Sequence, residues 1–373
     1  MRKTPFRSLF LLPLSAFLLP CGILFPRSCW AAGAPYVRPF GPNAPWNVPL
    51  SKILVLPEAQ SRKYAAMFWN KGCTGRPGNV NVNGFSPKDL YTYPVYYVHG
   101  PKGDGVEGAT LRVPVQVRHA DWGSNLIGAT VPWNPAWRPC GQWKAGGTEE
   151  ERDIDGQVIL LDPTTGREWD LWQVVFDGKV LSIGNGNLVP GDYRVKEDSF
   201  AKSRGVGIPY LAMLVTHAEV EAGKIEHALS VPNYYNDRKK FNCPAAKTDG
   251  AGFSSDTSDD GIPEGMRFGV PSLTEERIEK WVAAFPPEVP ETQKKLARTL
   301  ARALRDYGWI STDHSGGAHV QFEAPQSALK AWKRMGLLSL EASNGKSYPR
   351  DLLDGLFTDK DIQVYAPCPY GRQ

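Results

Sequence analysis

Several motifs that mark common enzyme classes are missing from this sequence of 373 residues. There is no Gly-x-Ser-x-Gly elbow, no His-Glu-x-x-His segment and no phosphate-binding loop, which argues against Ser-His-Asp hydrolases, zinc peptidases and NTPases. Neither a Cys-x-x-Cys pair nor a His/Cys cluster with zinc spacing occurs, so we expect no zinc site. Because no dense Lys/Arg tract is interleaved with aromatic residues, we predict no nucleic-acid partner.

Residues 1–31 have the composition of a signal peptide. A positively charged start precedes an apolar stretch over residues 9–25, and small residues at 29–32 fit a cleavage site; the starting charges are Arg2, Lys3 and Arg7. The apolar stretch approaches the length of a membrane span, so a retained anchor is the alternative. Two prolines interrupt that stretch and favour removal. We therefore expect a secreted or periplasmic protein whose mature chain, residues 32–373, has no membrane partner.

The cysteines outside the predicted signal peptide are even in number. Cys21 and Cys29 lie inside the signal segment, and the remaining four are Cys73, Cys140, Cys243 and Cys368. In an oxidising compartment this count predicts two disulfides, for which three pairings are possible. Because Cys73 and Cys140 both lie in loop-like stretches of the N-terminal half, their pairing is preferred.

The composition indicates a loop-rich protein that handles glycans. The net charge of +4 is mild for this length, whereas tryptophan occurs 12 times, glycine 37 times and proline 32 times. Exported, disulfide-bonded and tryptophan-rich chains include many carbohydrate-active enzymes and also many extracellular binding modules. We expect a polysaccharide or a cell-envelope glycan as the partner, and a monomer.

Strand patterns dominate from about residue 90 to 250, and helical patterns from about 272 to 360. The stretches 157–162 and 167–176 flank the turn sequence DPTTG and predict a hairpin, while Pro94 indicates an edge strand. We expect one large α+β domain. Its β-rich body is predicted to contain antiparallel sheets, as in a sandwich or jelly roll, with helices concentrated in the C-terminal third.

The sequence KIEHALSVP, residues 224–232, alternates with the period of a half-buried strand. Its apolar face carries His227, which is either a hydrogen-bonded core residue or part of a site. Just before it, Thr216 and Glu219 form a capping box for a short helix that ends at Gly223.

The C-terminal third carries signals for two further helices. They follow Thr274 and Pro290, and the second ends at Gly308. The stretches 309–312 and 319–323 then predict a hairpin-like pair of strands.

Two aspartates are candidates for the acid and base of a glycoside hydrolase. Asp170 shares a strand face with Glu168 and Trp172, which suits a sugar cleft because the ring can stack while the acid acts. Asp313 lies at a turn near the end of a strand. The alternatives are a buried Asp170 that accepts backbone N–H groups and an Asp313 that bonds its own turn.

A polysaccharide lyase would use a different set of side chains. Arg267 could neutralise a uronate carboxylate while His227 or Tyr307 removes the proton next to it. Trp133 and Trp137 belong to a long tryptophan-rich stretch, residues 122–147, and could stack on sugar together with Trp172.

One polar loop partly matches a calcium-binding turn. Asp256, Ser258 and Asp260 occupy the first, third and fifth positions of the pattern. Arg267 stands where a bidentate glutamate is required, and Pro263 disturbs the turn. Calcium is therefore the single cofactor that the sequence suggests, and no other cofactor is expected.

Five segments in a fixed order resemble a family of exported, largely uncharacterised bacterial proteins. The segments are APWN, LLDPTTGREWDLW, GIPYLAMLVTHAEVEAGKIEHAL, IPEGMRF and RALRDYGWISTD. The family's motifs read approximately ELW, EVxxGxIxHAL, MGxRxRL and YGMxxxD, and the resemblance covers nearly all of the mature chain. No activity is settled for the family, so the resemblance implies membership and five matching polar positions: Asp170, His227, Arg267, Tyr307 and Asp313.

This chain departs from the family pattern at two histidine positions. Members carry a histidine in the strand before the hairpin, where this chain has Asp155 and Gly156. They carry another in a Trp-Pro-Ala segment, which reads CPAAK here and ends at Lys247. The departures imply that an activity depending on those histidines is altered in this chain.

Two classes of function therefore compete. The first is an extracellular carbohydrate-active enzyme, either a glycoside hydrolase or a polysaccharide lyase. The second is a non-catalytic protein that binds a glycan or the cell envelope. Convergence of the five matching polar residues within about ten ångströms would favour the enzyme, because catalysis requires convergent geometry.

Overall fold

The computed structural model describes residues 38–73, 75–85, 91–99, 106–141, 155–198, 201–250 and 258–369. The predicted signal peptide lies outside these residues. In the ranges given, no helix combines the length and the apolar character needed to cross a membrane.

The described residues form short strands and a few helices. The strands are β1 (Asn81–Asn83), β2 (Val95–Tyr97), β3 (Leu111–Val117), β4 (Thr130–Trp133), β5 (Val158–Asp162), β6 (Arg167–Trp172), β7 (Val175–Phe176), β8 (Leu181–Ile183), β9 (Asn185–Leu188), β10 (Leu229–Asn233), β11 (Asn236–Phe241), β12 (Ile262–Glu264), β13 (Arg267–Gly269), β14 (Trp309–His314), β15 (His319–Gln321), β16 (Leu340–Glu341), β17 (Ser347–Tyr348) and β18 (Gln363–Tyr365). The α-helices are α1 (Glu58–Met67), α2 (His217–Ala222), α3 (Glu275–Ala283), α4 (Glu291–Asp306) and α5 (Pro325–Arg334). Single 3₁₀ turns lie at Leu50–Lys52, Ala120–Trp122 and Asp359–Asp361, and a π-helical turn lies at Phe68–Gly72.

The N-terminal half is built on two four-stranded sheets that share a core, and we call this body the sandwich. Their strand orders are β2-β5-β6-β9 and β4-β3-β8-β7. Side chains from both sheets meet in one apolar cluster, which includes Val113, Trp133, Leu160, Trp169 and Leu181. Since side chains alternate along a strand, each of these strands buries one face in this cluster.

The opposite face of strands β5 and β6 is also covered. Val158 and Leu160 point into the shared core, whereas Ile159 and Leu161 belong to a second cluster with residues of the segment 206–214. Both faces of β5 are therefore buried, which explains why its sequence, VILLD, is almost continuously apolar.

A second body forms around the sheet β10-β14-β13-β18. Its core also receives apolar residues from helices α3, α4 and α5, among them Ile278, Leu300 and Trp332. Thr274 caps α3 by accepting the amide N–H of Arg277, as the sequence predicts. Helix α4 is followed by Gly308 with φ +66°, where a Cβ would overlap the carbonyl of Phe268.

The row of basic residues on α4 pairs largely with neighbouring acids. Arg302 and Arg305 both bind Glu275 on α3, and Arg298 binds Glu279 and Glu291. A row of basic residues on one helix face, Lys294, Arg298, Arg302 and Arg305 in this sequence, indicates such a solvated face.

The expected α+β class is confirmed, and its sheets are more mixed than expected. The hairpin of β5 and β6 and the capping-box helix α2 form as predicted. Several pairs are nevertheless parallel, including β2 with β5, β3 with β8 and β10 with β14. Parallel partners need long crossover connections, and those depend on contacts distant in sequence.

Two local strand predictions are wrong. The strand expected at 224–232 begins only at Leu229, because Ile225 to Ala228 connects helix α2 to β10 without joining a sheet. The segments near 309–312 and 319–323 do not pair with each other: β14 lies between β10 and β13, whereas β15 pairs with β1. In both cases the pairing partner is a strand far away in sequence, and a local sequence pattern cannot identify such a partner.

The disulfide prediction requires a correction. Cys243 and Cys368 form a disulfide that spans 125 residues of sequence. The expected bond between Cys73 and Cys140 is absent, and both cysteines are buried in the described chain. Cys73 packs in the core of the second body, while Cys140 follows Trp137 near the sandwich core, so the two lie in different parts of the fold.

We predict that peptide mapping without reductant recovers one linked peptide pair, containing Cys243 and Cys368. Burial raises the pKa of the Cys73 thiol to about 12, so Cys73 should react with iodoacetamide only after unfolding. The measurement is mass spectrometry of native and denatured samples alkylated in parallel. A peptide that links Cys73 to Cys140 would contradict this assignment.

Candidate functional site

An irregular segment, residues 201–211, joins the sandwich to the second body. The amides of Tyr210 and Leu211 donate to side chains on β6, and the amide of Gly205 donates to Asp313 on β14. Because strands from both bodies hold this one segment, its conformation positions the polar groups between them.

Arg204 is the centre of these polar groups. Its side chain is fully buried, and its guanidinium uses all of its N–H groups. The acceptors are the carbonyls of Pro209, Tyr210 and Ala212, the hydroxyl of Ser230, the side-chain oxygen of Gln321 and the carboxylate of Asp313. We call Arg204, Ser230, Gln321 and Asp313 the arginine cluster.

Two tyrosine rings enclose the guanidinium. The carbon at its centre lies 4.8 Å from the ring centroid of Tyr93 and 5.8 Å from that of Tyr210. Both rings are buried, and their centroids are 4.7 Å apart. Stacking on an aromatic face stabilises a desolvated cation, so these rings partly replace the water that Arg204 lost.

Glu168 and Asp170 lie on the face of β6 that meets this segment. An oxygen of Asp170 accepts the amide N–H of Tyr210 at 3.0 Å, and an oxygen of Glu168 accepts that of Leu211 at 3.0 Å. Burial raises the pKa of Asp170 to about 6, and burial together with the charge of Asp170 raises that of Glu168 well above its ordinary value. The two carboxyl groups hydrogen-bond to each other, so they share a proton.

Asp313 is the member of the arginine cluster that reaches solvent. Its side chain is 18% exposed. One oxygen accepts the amide N–H of Gly205 at 2.7 Å, and the other lies 3.5 Å from Nη1 of Arg204. Asp313 therefore presents a carboxyl group at the edge of the cluster, held by a backbone amide and by the Arg204 cation.

A second pair of carboxyl groups lies beside Asp313. Asp249 packs against Gly205 so closely that a Cβ at position 205 would overlap its carboxyl group. Glu264 is buried and accepts hydrogen bonds from the side chain of Asn236 and the amide of Asp249. Burial, and then the neighbouring carboxyl group, raises the pKa of Glu264 well above its ordinary range, and burial also raises the pKa of Asp249.

On the sandwich, three rings form an open stack. His119 lies 4.4 Å from Trp122 with planes inclined by 12°, and Trp122 lies 5.7 Å from Trp172 with planes inclined by 29°. Trp122 is 57% exposed. We call His119, Trp122 and Trp172 the aromatic face.

The aromatic face is held in place from several sides. The indole N–H of Trp172 donates to Asp155 at 3.0 Å, and the side chain of Asn185 donates to the carbonyl of His119. At Gly184 a Cβ would lie 2.8 Å from the ring of Trp172, so only glycine leaves room for that ring. These contacts fix the rings before any ligand arrives.

Asp155 connects the aromatic face to the arginine cluster. Its carboxylate accepts the indole N–H of Trp172 and lies close enough to Tyr93 and Tyr210 for its charge to raise their pKa values, after the larger effect of burial. Asp313 acts on the same two tyrosines from the other body. The two sets of polar groups therefore flank one buried tyrosine pair.

His227 lies in a buried ion pair. Its Nε2 is 2.8 Å from an oxygen of Glu219, and its Nδ1 is 2.8 Å from the carbonyl of Ala228. Glu219 also closes the capping box of α2 by accepting from Thr216. Both ring nitrogens face acceptors, which favours the imidazolium. These contacts are structural, and the proposed role of His227 as a base has no support in them.

Arg267 and Tyr307 lie together, apart from Asp170 and Asp313. The Arg267 guanidinium is buried and donates to the carbonyls of Pro45, Val48 and Tyr307. It ties the N-terminal segment to the end of α4, so it is not presented to a substrate. Tyr307 lines a cleft of about 840 Å³ that Leu50, Ile225 and Tyr365 also border.

The remaining residues predicted to bind a glycan or calcium lie in different parts of the fold. Trp172 belongs to the aromatic face, whereas Trp133 and Trp137 are 1% and 2% exposed in the sandwich core and cannot stack on a glycan there. Of the possible calcium loop, Asp256 lies outside the described residues and Asp260 is ion-paired with Lys63. Ser258 lies at a turn beside β11. Among the residues described, no group of three His, Cys, Asp or Glu side chains could hold a metal ion.

The five matching polar positions do not converge as one site. Asp170 and Asp313 meet around Arg204, whereas His227 pairs with Glu219, and Arg267 with Tyr307 lies elsewhere. Each of these side chains, except Tyr307 and the exposed edge of Asp313, is occupied by local hydrogen bonds.

Sequence reasoning missed several residues that the structure brings together. Arg204 lies in a stretch without periodicity and has φ +54°, which no sequence pattern indicates. Trp122 could have been recognised: it follows Ala-Asp and precedes Gly-Ser, a turn composition, whereas Trp133 ends the strand-like run TVPW.

Comparisons of the chain with protein-family models, with curated proteins and with solved structures gave no match.

We predict that the ion pair of His227 makes stability dependent on pH. Burial lowers the pKa of His227, but the charge and hydrogen bond of Glu219 and the Ala228 carbonyl raise it by more, so it lies above its ordinary value. A raised pKa stabilises the fold below the unfolded-state pKa of about 6.5, and this stabilisation is lost as pH rises through the folded-state value.

Urea denaturation of wild type and His227→Gln between about pH 5.5 and pH 8.5 tests this. The difference in unfolding free energy should be on the order of 2 kcal/mol at the acidic end and should shrink as pH rises. Glu219→Gln should remove the same pH dependence. A difference that grows with pH would show that His227 is neutral in the fold.

Proposed function

We propose that the chain is an exported protein that binds a polysaccharide or cell-envelope glycan at its aromatic face. The observation that carries this proposal is the open stack in which Trp122, 57% exposed, lies on the rings of His119 and Trp172. A single exposed apolar side chain is ordinary, but a contiguous patch of apolar rings on a folded surface marks a binding site, and the three stacked rings form such a patch.

The chemistry of the face suits a pyranose. The C–H groups of a sugar ring are apolar and pack on an aromatic plane, while its hydroxyls need polar partners at the rim. Asp155 supplies carboxylate oxygens at that rim, where it already orients Trp172. The combination of a flat apolar surface and an adjacent acceptor matches the two requirements of a sugar.

The rigidity of the face supports binding as well. Trp172 is fixed by Gly184 and Asp155, and the backbone of His119 is held by one hydrogen bond to Gly184 and one from the side chain of Asn185. A ligand therefore orders few side chains when it binds, and this lowers the entropic cost of association.

Binding accounts for the remaining polar residues better than catalysis does. Asp170 holds backbone amides, His227 holds the cap of α2, and Arg267 holds three carbonyls. A catalytic acid, base or carboxylate anchor must be able to reach a substrate, and these groups are buried with their partners.

Glycoside hydrolysis at Asp313 is a second candidate, favoured by one observation. The partly exposed Asp313 lies beside the Asp249–Glu264 pair, and burial raises the pKa of both carboxyl groups in that pair. Two neighbouring carboxyl groups, one that reaches solvent and one whose pKa is raised by burial, are the arrangement that acid/base hydrolysis of a glycosidic bond needs.

Affinity electrophoresis on a panel of neutral and anionic polysaccharides tests the binding proposal. Trp122→Ala should weaken the affinity for the bound polysaccharide by roughly five- to thirtyfold, measured as lost retardation, since stacking contributes on the order of 1–2 kcal/mol. Phe241→Ala is the matched control, because Phe241 is 43% exposed on β11, away from the aromatic face. Equal binding by wild type and Trp122→Ala would refute the proposal.

Reducing ends measured in the same mixtures test the second candidate. Release by the wild type that is lost in Asp313→Asn, with retardation retained, would establish hydrolysis at Asp313. Retardation without release of reducing ends, in wild type and variant alike, would leave binding as the function.

A further inference from the structure

Two lysines lie next to the aromatic face. The side chain of Lys202 crosses to Gly123, where a Cβ would lie 3.3 Å from its Nζ, and Gly123 directly follows Trp122. Lys247 lies beside it, with its Nζ 3.4 Å from the carbonyl of Lys202. Both lysines are exposed, so the ammonium of Lys202 borders the exposed tryptophan and Lys247 adds a second positive charge beside Lys202.

Neither ammonium group forms an ion pair with a residue that the structure describes. The arginines of α4, by contrast, have carboxylate partners on α3 or on α4 itself, such as Glu275 for Arg302 at 2.8 Å. Burial lowers the pKa of Lys247, and the charges of Asp313 and Asp249, within electrostatic reach, act in the opposite direction. The charges at Lys202 and Lys247 are therefore available to a ligand.

The carboxylates near these lysines are already engaged. Asp155 accepts from the indole of Trp172 and from Gln157, and Asp313 accepts from Gly205 and Arg204. Asp121, on the same turn as Trp122, is exposed and is the one acid in that turn. Cations therefore outnumber unengaged carboxylates around the stack among the residues described.

We infer that the glycan bound at the aromatic face is anionic, with carboxylate or sulfate groups that contact Lys202 and Lys247. The sugar ring lies on Trp122, and an acidic substituent at its edge reaches the ammonium of Lys202. Lys247, which lies on the side nearer Asp313, then contacts either the same acidic group or the next one along the glycan. This inference rests on the proposed binding function and adds the class of ligand.

The charge of the ligand has a measurable consequence. An ammonium group at a solvent-exposed site attracts an anion by an amount that salt screens, because the Debye length falls from about 30 Å at 0.01 M to about 8 Å at 0.15 M ionic strength. Stacking on Trp122 depends little on salt. Affinity for the anionic polymer should therefore fall as salt rises, while any residual binding through the rings persists.

The test compares a polyuronate, the same polymer after chemical reduction of its carboxyl groups, and a sulfated polysaccharide, by affinity electrophoresis and calorimetry. The variants are Trp122→Ala, the double variant Lys202→Ala/Lys247→Ala, and a control double variant, Lys280→Ala/Lys333→Ala. The control lysines are exposed on α3 and α5. Circular dichroism checks that each variant is folded.

We expect Lys202→Ala/Lys247→Ala to bind an anionic polymer at least about tenfold more weakly and to lose its salt dependence, while the control binds as wild type does. Carboxyl reduction should cost the wild type a similar factor and the double lysine variant little. Tight binding of the sulfated polymer alone would assign sulfate as the anionic group.

The test distinguishes failure of the proposed function from failure of this inference alone. If Trp122→Ala binds every polymer as well as wild type, the aromatic face is not the site and the proposed function fails with it. If Trp122→Ala weakens binding but the reduced polymer binds as tightly as the polyuronate, the glycan is neutral and only this inference is overturned.

Discussion

The buried guanidinium of Arg204 is the interaction on which the rest of the structure depends. A buried cation is stable only when its N–H groups have hydrogen-bond acceptors. Here the acceptors belong to residues 209–212, to Ser230 on β10, to Asp313 on β14 and to Gln321. The positive φ of +54° adds a backbone cost of about 1–2 kcal/mol, which these bonds offset. Arg204 thereby holds the irregular segment, residues 201–211, against β10 and β14, while Glu168 and Asp170 hold it against β6.

This arrangement separates structural polar residues from those that face solvent. The carboxyl groups on β6 and β14 accept amides of residues 201–211, and Arg267 donates to carbonyls of the N-terminal segment and of Tyr307. A buried amide or carbonyl without a partner costs free energy, so these contacts are structural. The rings of Trp122 and His119 instead lie just after β3, at a 3₁₀ turn on which Trp122 is exposed. Binding surfaces commonly lie on such loops above a rigid scaffold, and this one follows that rule.

Part of this fold can be predicted from sequence, and the part that cannot be predicted depends on contacts between residues far apart in the chain. The β5–β6 hairpin, the capping box at Thr216 and the cap at Thr274 depend on neighbours within a few residues, so their patterns identify them. The parallel pairs and the Cys243–Cys368 bond depend on chain segments far apart in sequence, which no local pattern encodes. For the same reason, alternation correctly placed Glu168, Asp170 and Trp172 on one strand face, but it could not indicate that Arg204 or Trp122 lies opposite.

The central claim is that a glycan lies on Trp122 and Trp172, and the indole N–H signals of ¹⁵N-labelled protein test it most directly. During titration with a short oligosaccharide of the bound polymer, the signals of Trp122 and Trp172, assigned with Trp→Phe variants, should shift in proportion to occupancy. Those of Trp133 and Trp137 should stay in place, because both rings are buried in the sandwich core. Shifts confined to other indoles, or none at saturating ligand, would contradict the account.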